Sequence, residues 1–134
     1  MNLTVKTRLE EYGYYEVRIP MKSVFYLLDT APYGSEKAFG ALNAAAVSLN
    51  RMQVTLGLYG DGIYLIAAGQ DSRKLGVPNL SDILYSYGEL RVLVHEPSLF
   101  ERGLFGETLI ETVELVDEED FLESMESSDC VIRF

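Results

Sequence analysis

The chain has 134 residues, of which 48% are apolar and 24% charged. That describes one globular domain able to bury roughly 65–70% of its unfolded surface, and it argues against disorder as the dominant state. Twenty-one acidic residues against 11 basic ones give a net charge of -10, the wrong sign for direct nucleic-acid binding and the right one for a basic protein partner or a small ligand.

The first twenty residues alternate Leu3, Val5 and Thr7 with polar positions, and Tyr14 to Ile19 read as a strand. They form an N-terminal extension or hairpin over 1–20, a candidate cover for a sheet edge, ahead of a main domain over 21–134. Lys22 to Asp29 is almost continuously apolar, which suits a strand covered on both faces. The segment Thr30-Ala31-Pro32-Tyr33-Gly34-Ser35 breaks it, and a helix follows over 35–49 with Ala38, Leu42, Ala45, Ala46 and Leu49 at helical spacing. Gln53 to Tyr59 is the next strand, with Val54, Leu56 and Leu58 on one side. Gly60-Asp61-Gly62 is a turn, and the pattern over Ile63 to Ala68 leaves strand and helix both open.

Residues 70–79 are a polar loop and Leu80 to Gly88 a short helix. Leu90 to Val94 form a third strand that ends at His95. Pro97 and Ser98 start a helical turn that Gly103 stops. A fourth strand lies best over Glu111 to Val116. An acidic helix spans Glu118 to Ser127 with Phe121, Leu122 and Met125 inward, and Cys130 to Phe134 close the chain as a strand. Apolar strands alternating with helices predict an α/β fold with a mostly parallel sheet of about five strands and right-handed crossovers.

The residue inventory narrows the chemistry. Cys130 is the only cysteine, so there is no intrachain disulfide, CxxC pair or thiolate cluster. One histidine, His95, closes off multi-histidine metal sites; no metal and no cofactor are expected. No apolar run is long enough to span a membrane and the N-terminus lacks a signal-peptide pattern, which makes a cytoplasmic location the expectation.

In an open α/β sheet ligands sit beyond the carboxyl ends of the strands. Three segments arrive there: Thr30 to Ser35, Gly60 to Gly62 and His95 to Ser98. The candidate pocket or interface residues are therefore Tyr33, Gly34, Ser35, Asp61, Tyr64, His95 and Ser98. The first segment reads as an anion-binding loop or an ordinary turn with a cap. Asp61 reads as an orienting partner for His95 or as a turn residue. His95 is the best-placed titratable group, with a proton shuttle, a ligand contact and a strand-end role all open. Ser98 reads as a cap for the following helix. Cys130 follows Glu126-Ser127-Ser128-Asp129, whose acidic groups disfavour a thiolate, so it reads as structural. From Glu107 to Asp129 there are ten acidic residues and no basic one, a solvated face that also steers basic partners.

Four stretches carry a family resemblance: Thr30 to Ser35, Tyr59-Gly60-Asp61-Gly62-Ile63-Tyr64, Ser98-Leu99-Phe100-Glu101-Arg102-Gly103-Leu104, and Ser128 to Phe134. Over residues 22–134 the chain resembles the DsrE/DsrF-like family, and within it the DsrF/TusC branch. The resemblance implies a small parallel α/β fold, DsrEFH-like, that assembles into homo- or hetero-oligomers with related DsrE/DsrH-type subunits. It implies sulfur-relay work, either in tRNA thiolation with a small sulfur-carrier protein or beside a dissimilatory sulfite reductase system. In that scheme persulfide sulfur rides on a cysteine of the DsrE/TusD-type subunit. The position matching that cysteine is His95 here, and a histidine holds no persulfide. The expectation is a non-catalytic subunit. A homo-oligomer binding a small ligand or anion, and a sulfurtransferase using Cys130, are the alternatives.

Overall fold

Residues 2–9, 13–20, 22–33, 36–66, 89–104 and 113–134 are described by the computed structural model of the chain. Strand β1 (Asn2–Leu9) pairs antiparallel with β2 (Gly13–Pro20), from Asn2 opposite Pro20 to Leu9 opposite Gly13. This hairpin is a two-stranded sheet of its own.

The main sheet has five strands: β3 (Ser23–Leu28), β4 (Gln53–Leu58), β5 (Arg91–His95), β6 (Val113–Val116) and β7 (Cys130–Arg133). Their order is β6-β5-β4-β3-β7 and every neighbouring pair is parallel. The chain steps outward from β3 through β4 and β5 to β6, then returns to lay β7 on the far side of β3. The parallel five-stranded sheet expected from the sequence is therefore present. The connecting elements are α1 (Lys37–Ser48), a 3-10 helix over Gly60–Ile66, α2 (Glu96–Glu101) and α3 (Glu118–Ser127). Of the ambiguous segment over 63–68, residues 63–66 form the end of this 3-10 helix, and 67 and 68 lie outside the described residues. The short helix expected over Leu80 to Gly88 lies outside the described residues, as do residues 111 and 112 at the start of the expected fourth strand.

Strand β3 reads as a continuous apolar run because both of its faces are covered. Val24, Tyr26 and Leu28 point to one face, where they meet Val54, Leu56 and Leu58 of β4, Val92 and Val94 of β5, and Ala38, Ala41, Leu42 and Ala45 of α1. The small residues of α1 allow its axis to lie close to the strands. Phe25 points to the other face and packs with Leu93 and Phe121 of α3. The Phe25 and Phe121 rings meet edge to face at 85°, with centroids 5.5 Å apart. Gly57 makes room for them: a Cβ there would fall 2.2 Å from Phe25 Cζ and 3.0 Å from Phe121 Cζ.

Helix α3 begins where the sequence places it. Asp117 is its N-cap, accepting from the Asp120 amide at 2.8 Å, and Glu118, Glu119 and Asp120 fill a first turn that favours negative charge. Of the three side chains expected inward, Phe121 is buried and Met125 half-buried, but Leu122 is 48% exposed. One residue along a helix turns a side chain by about 100°, which carries Leu122 off the seam that Phe121 fills.

Edge strand β7 is pinned at both ends. At its start Asp129 accepts from the Ser23 amide at 2.8 Å and its own amide donates to Ser23 Oγ at 3.0 Å. At its finish Arg133 Nε donates to Asp29 at 2.9 Å and the Phe134 amide donates to Leu27 O at 2.9 Å.

Candidate functional site

The carboxyl ends of β4 and β5 meet at a single hydrogen-bonded cluster. The Pro97 ring favours the first turn of α2, so the chain leaves β5 directly into a helix with His95 as its N-cap. Ser, Thr, Asn or Asp ordinarily fills that position. Here the imidazole does: Nδ1 accepts from the Ser98 amide at 3.3 Å and lies 2.6 Å from Ser98 Oγ. Ser98 Oγ also accepts from the Gly60 amide at 3.0 Å. With Nδ1 already accepting from the Ser98 amide, the hydroxyl proton goes to Nδ1 as well. This network assigns a neutral imidazole with its proton on Nε2.

Glycines allow the close approach. Gly60 has φ +55°, a conformation natural to glycine, and a Cβ on Gly62 would lie 2.1 Å from Leu28 O. The 3-10 helix therefore presses directly on the end of β3. Arg102 ties it to α2, with Nε donating to Asp61 at 2.9 Å and a terminal nitrogen to Ser98 O at 3.2 Å.

Only 4% of the His95 surface is exposed. Its ring lies against Tyr59, with centroids 4.6 Å apart, and meets the edge of Phe121 at 5.4 Å. Among the described residues Nε2 is buried with no hydrogen-bond partner, and the nearest carboxylate oxygen, on Glu118, is 3.7 Å away. Burial lowers the His95 pKa below its ordinary 6.5, against the opposing pull of Glu118 and Glu101. The ring faces a cavity of about 320 Å³ with Leu27, Phe121 and Met125 as apolar walls and Glu118, Asp29 and Arg133 as polar ones.

Of the residues expected at the site, His95 and Ser98 are in direct contact. Asp61 does not orient His95; its carboxylate holds Arg102, one step removed. Tyr33 is half-buried against the core and Tyr64 is 37% exposed on the 3-10 helix; neither lines the His95 cavity. Gly34 and Ser35 lie outside the described residues. Cys130 is exposed and sits at the amino end of β7, beside Val24, whereas His95 closes the carboxyl end of β5. Among the described residues no group of three His, Cys, Asp or Glu side chains is arranged to hold a metal ion. Sequence reasoning missed Tyr59, Glu118, Asp29 and Arg133 as neighbours of this cavity. Tyr59 was signalled by its place beside Gly60-Asp61-Gly62; the others come together only through the return of β7 and the packing of α3.

The chain as a whole is similar to several known proteins. The family model described as the DsrE/DsrF-like family matches residues 22–134. The intracellular sulfur oxidation protein DsrF of Allochromatium vinosum is 30% identical over 132 residues, covering 85% of this chain and 97% of that protein. An uncharacterized protein of Methanocaldococcus jannaschii is 32% identical over 111 residues, covering 81% of this chain and 96% of its own. Among solved structures, the YchN protein from E. coli superposes with a TM-score of 0.76 at 24% identity, covering 85% of this chain and all (100%) of that one. That last likeness concerns the fold.

Proposed function

The chain belongs to the DsrE/DsrF-like family, and on that premise we propose that it is a DsrF/TusC-like, non-catalytic subunit of a sulfur-relay complex. It supports persulfide transfer by a partner subunit and carries no sulfur itself. The observation behind this reading is the placement of the only thiol. The strand-end position that the family resemblance gives to a sulfur-carrying cysteine is filled by His95, a capping group already engaged with Ser98. Cys130 lies at the opposite end of the sheet. The DsrF name of the Allochromatium vinosum relative agrees with a role among sulfur-oxidation subunits. The partners we infer are related DsrE/DsrH-type subunits in a cytoplasmic assembly, with a small sulfur-carrier protein as acceptor. Among the described residues no helix is long and apolar enough to cross a membrane.

Reconstitution with the related subunits of its own organism tests this. Native mass spectrometry should show a stable mixed oligomer in which persulfide sits on a partner's thiol, and Cys130→Ser in this chain should leave transfer unchanged. Transfer that stops with Cys130→Ser would replace this reading with that of a sulfurtransferase.

A further inference from the structure

The hairpin β1–β2 lies outside the residues that the family model matches, and it joins neither edge of the main sheet. A two-stranded ribbon alone is marginal in water and needs a surface to cover it. The register places Leu3, Val5, Val17 and Ile19 on one face and Lys6, Arg8 and Arg18 on the other, beside Glu16. One face is therefore apolar and the other basic.

Its root is held tightly. Met21 and Lys22 alone separate Pro20 from Ser23, and β3 already has β4 on one side and β7 on the other. A strand paired to the open side of β7 would lie two strand spacings from β3, roughly 9–10 Å away. Fully extended, the chain from Pro20 to Ser23 spans about 10–11 Å, which leaves nothing to turn it back along β7. The hairpin cannot lie along its own β7, yet its root stands beside that strand, where Ser23 and Asp129 exchange hydrogen bonds. A root next to an edge it cannot reach is the geometry of reciprocal exchange about a two-fold axis.

That edge matches both faces of the ribbon. Strand β7 is exposed over its whole length, and among the described residues it pairs with β3 alone. Ile132 is in register with Tyr26 and so shares the α1 face of the sheet. It is exposed, as is Phe39, and α1 carries no charged side chain after Lys37. On the α3 face Leu122, which lines a cavity with Arg133, is exposed. Its helix neighbours are Glu119 and Glu126, both exposed, and no basic residue occurs from Glu107 to Asp129. One side of the edge is thus apolar and the other acidic. We infer that β1–β2 is an exchange arm: in a dimer the hairpin of each copy extends the other's main sheet at β7. Val5 and Val17 then lie over the α1 side, and Lys6 and Arg18 lie beside the acidic α3. The exchange also closes an edge that is otherwise open to pairing. It rests on the hairpin and β7 and is independent of the sulfur-relay reading.

The test uses the full chain. Natural-abundance and heavy-isotope-labelled copies are mixed dilute, concentrated together and joined with a zero-length carbodiimide, which links amines to carboxylates in contact. Mass spectrometry should find Lys6 linked to Glu119 or Glu126 between light and heavy copies. Sedimentation should show self-association that weakens at least about tenfold in Ile132→Lys, at an exposed position of the edge. Val5→Lys, in the arm and outside the main domain, should weaken it as much, and circular dichroism of both variants checks that the sheet is kept. A monomer at the highest soluble concentration would overturn the inference. So would Lys6–α3 links that are absent or confined to one copy, or self-association unchanged in either folded variant.

Discussion

Cys130 and His95 stand at opposite ends of the same parallel sheet. Cys130 opens β7 in register with Val24 near the start of β3, and His95 closes β5 in register with Val116. In an open α/β sheet the carboxyl ends of the strands carry the chemistry. This sheet presents there an imidazole, a serine hydroxyl and two aromatic rings, and keeps its thiol at the other end.

The His95 proton assignment has a consequence for stability. The folded pKa lies below the ordinary 6.5 because burial favours the neutral ring. The unfolded chain therefore binds the extra proton first. Stability from this group is complete above 6.5 and is lost as pH falls from 6.5 toward the lowered folded value. Denaturant titrations across that window should show a steeper loss for the native chain than for His95→Asn, which retains a capping acceptor for α2. Equal slopes would mean that His95 titrates alike in both states.

Ser98 joins the Gly60 amide and the His95 ring through one buried side chain, which is 3% exposed. Ser98→Ala should cost about 1–3 kcal/mol in equilibrium unfolding, because the Gly60 amide loses its acceptor. Arg102→Ala, which breaks an ion pair with an exposed Asp61, should cost under about 1 kcal/mol apart from the bond to Ser98 O. A reversed ranking would place the brace between the 3-10 helix and α2 in the ion pair instead.

Gly57 and Gly62 are both excluded from carrying a side chain, for different reasons. At Gly57 the obstacle is the Phe25 ring, a side chain that can shift, so Gly57→Ala should destabilise by about 1–3 kcal/mol. At Gly62 the obstacle is the Leu28 carbonyl, a backbone atom within a paired strand. Gly62→Ala should be the more damaging of the two and should also disturb the His95 signals, since the 3-10 helix supplies the Gly60 amide to Ser98. Thermal unfolding and NMR of both variants check the order.

Much of this fold was legible in the sequence. The continuous apolar run of β3, the helical spacing of Ala38, Leu42 and Ala45, and the span of α3 over Glu118–Ser127 follow from local patterns that the tertiary structure keeps. Leu122 escaped because an apolar residue beside a buried aromatic looks inward until the helix phase is fixed. The site was half legible. His95 and Ser98 are three residues apart and meet through local capping geometry. Asp61, at a strand end like His95, reads from the sequence as its orienting partner or as a turn residue, and Arg102, one helical turn past Ser98, is the group that reaches it. Glu118 on α3, Asp29 just past β3 and Arg133 on β7 are far apart in the sequence, and only the strand order brings them to one cavity.

The most direct test of a subunit without a sulfur-carrying thiol is intact mass after incubation with a cysteine desulfurase and cysteine. The chain should retain its mass, with Cys130 still free to react with an alkylating reagent as its exposure dictates. A gain of one sulfur atom that disappears in Cys130→Ser would contradict the account and make the edge strand, rather than a partner, the carrier.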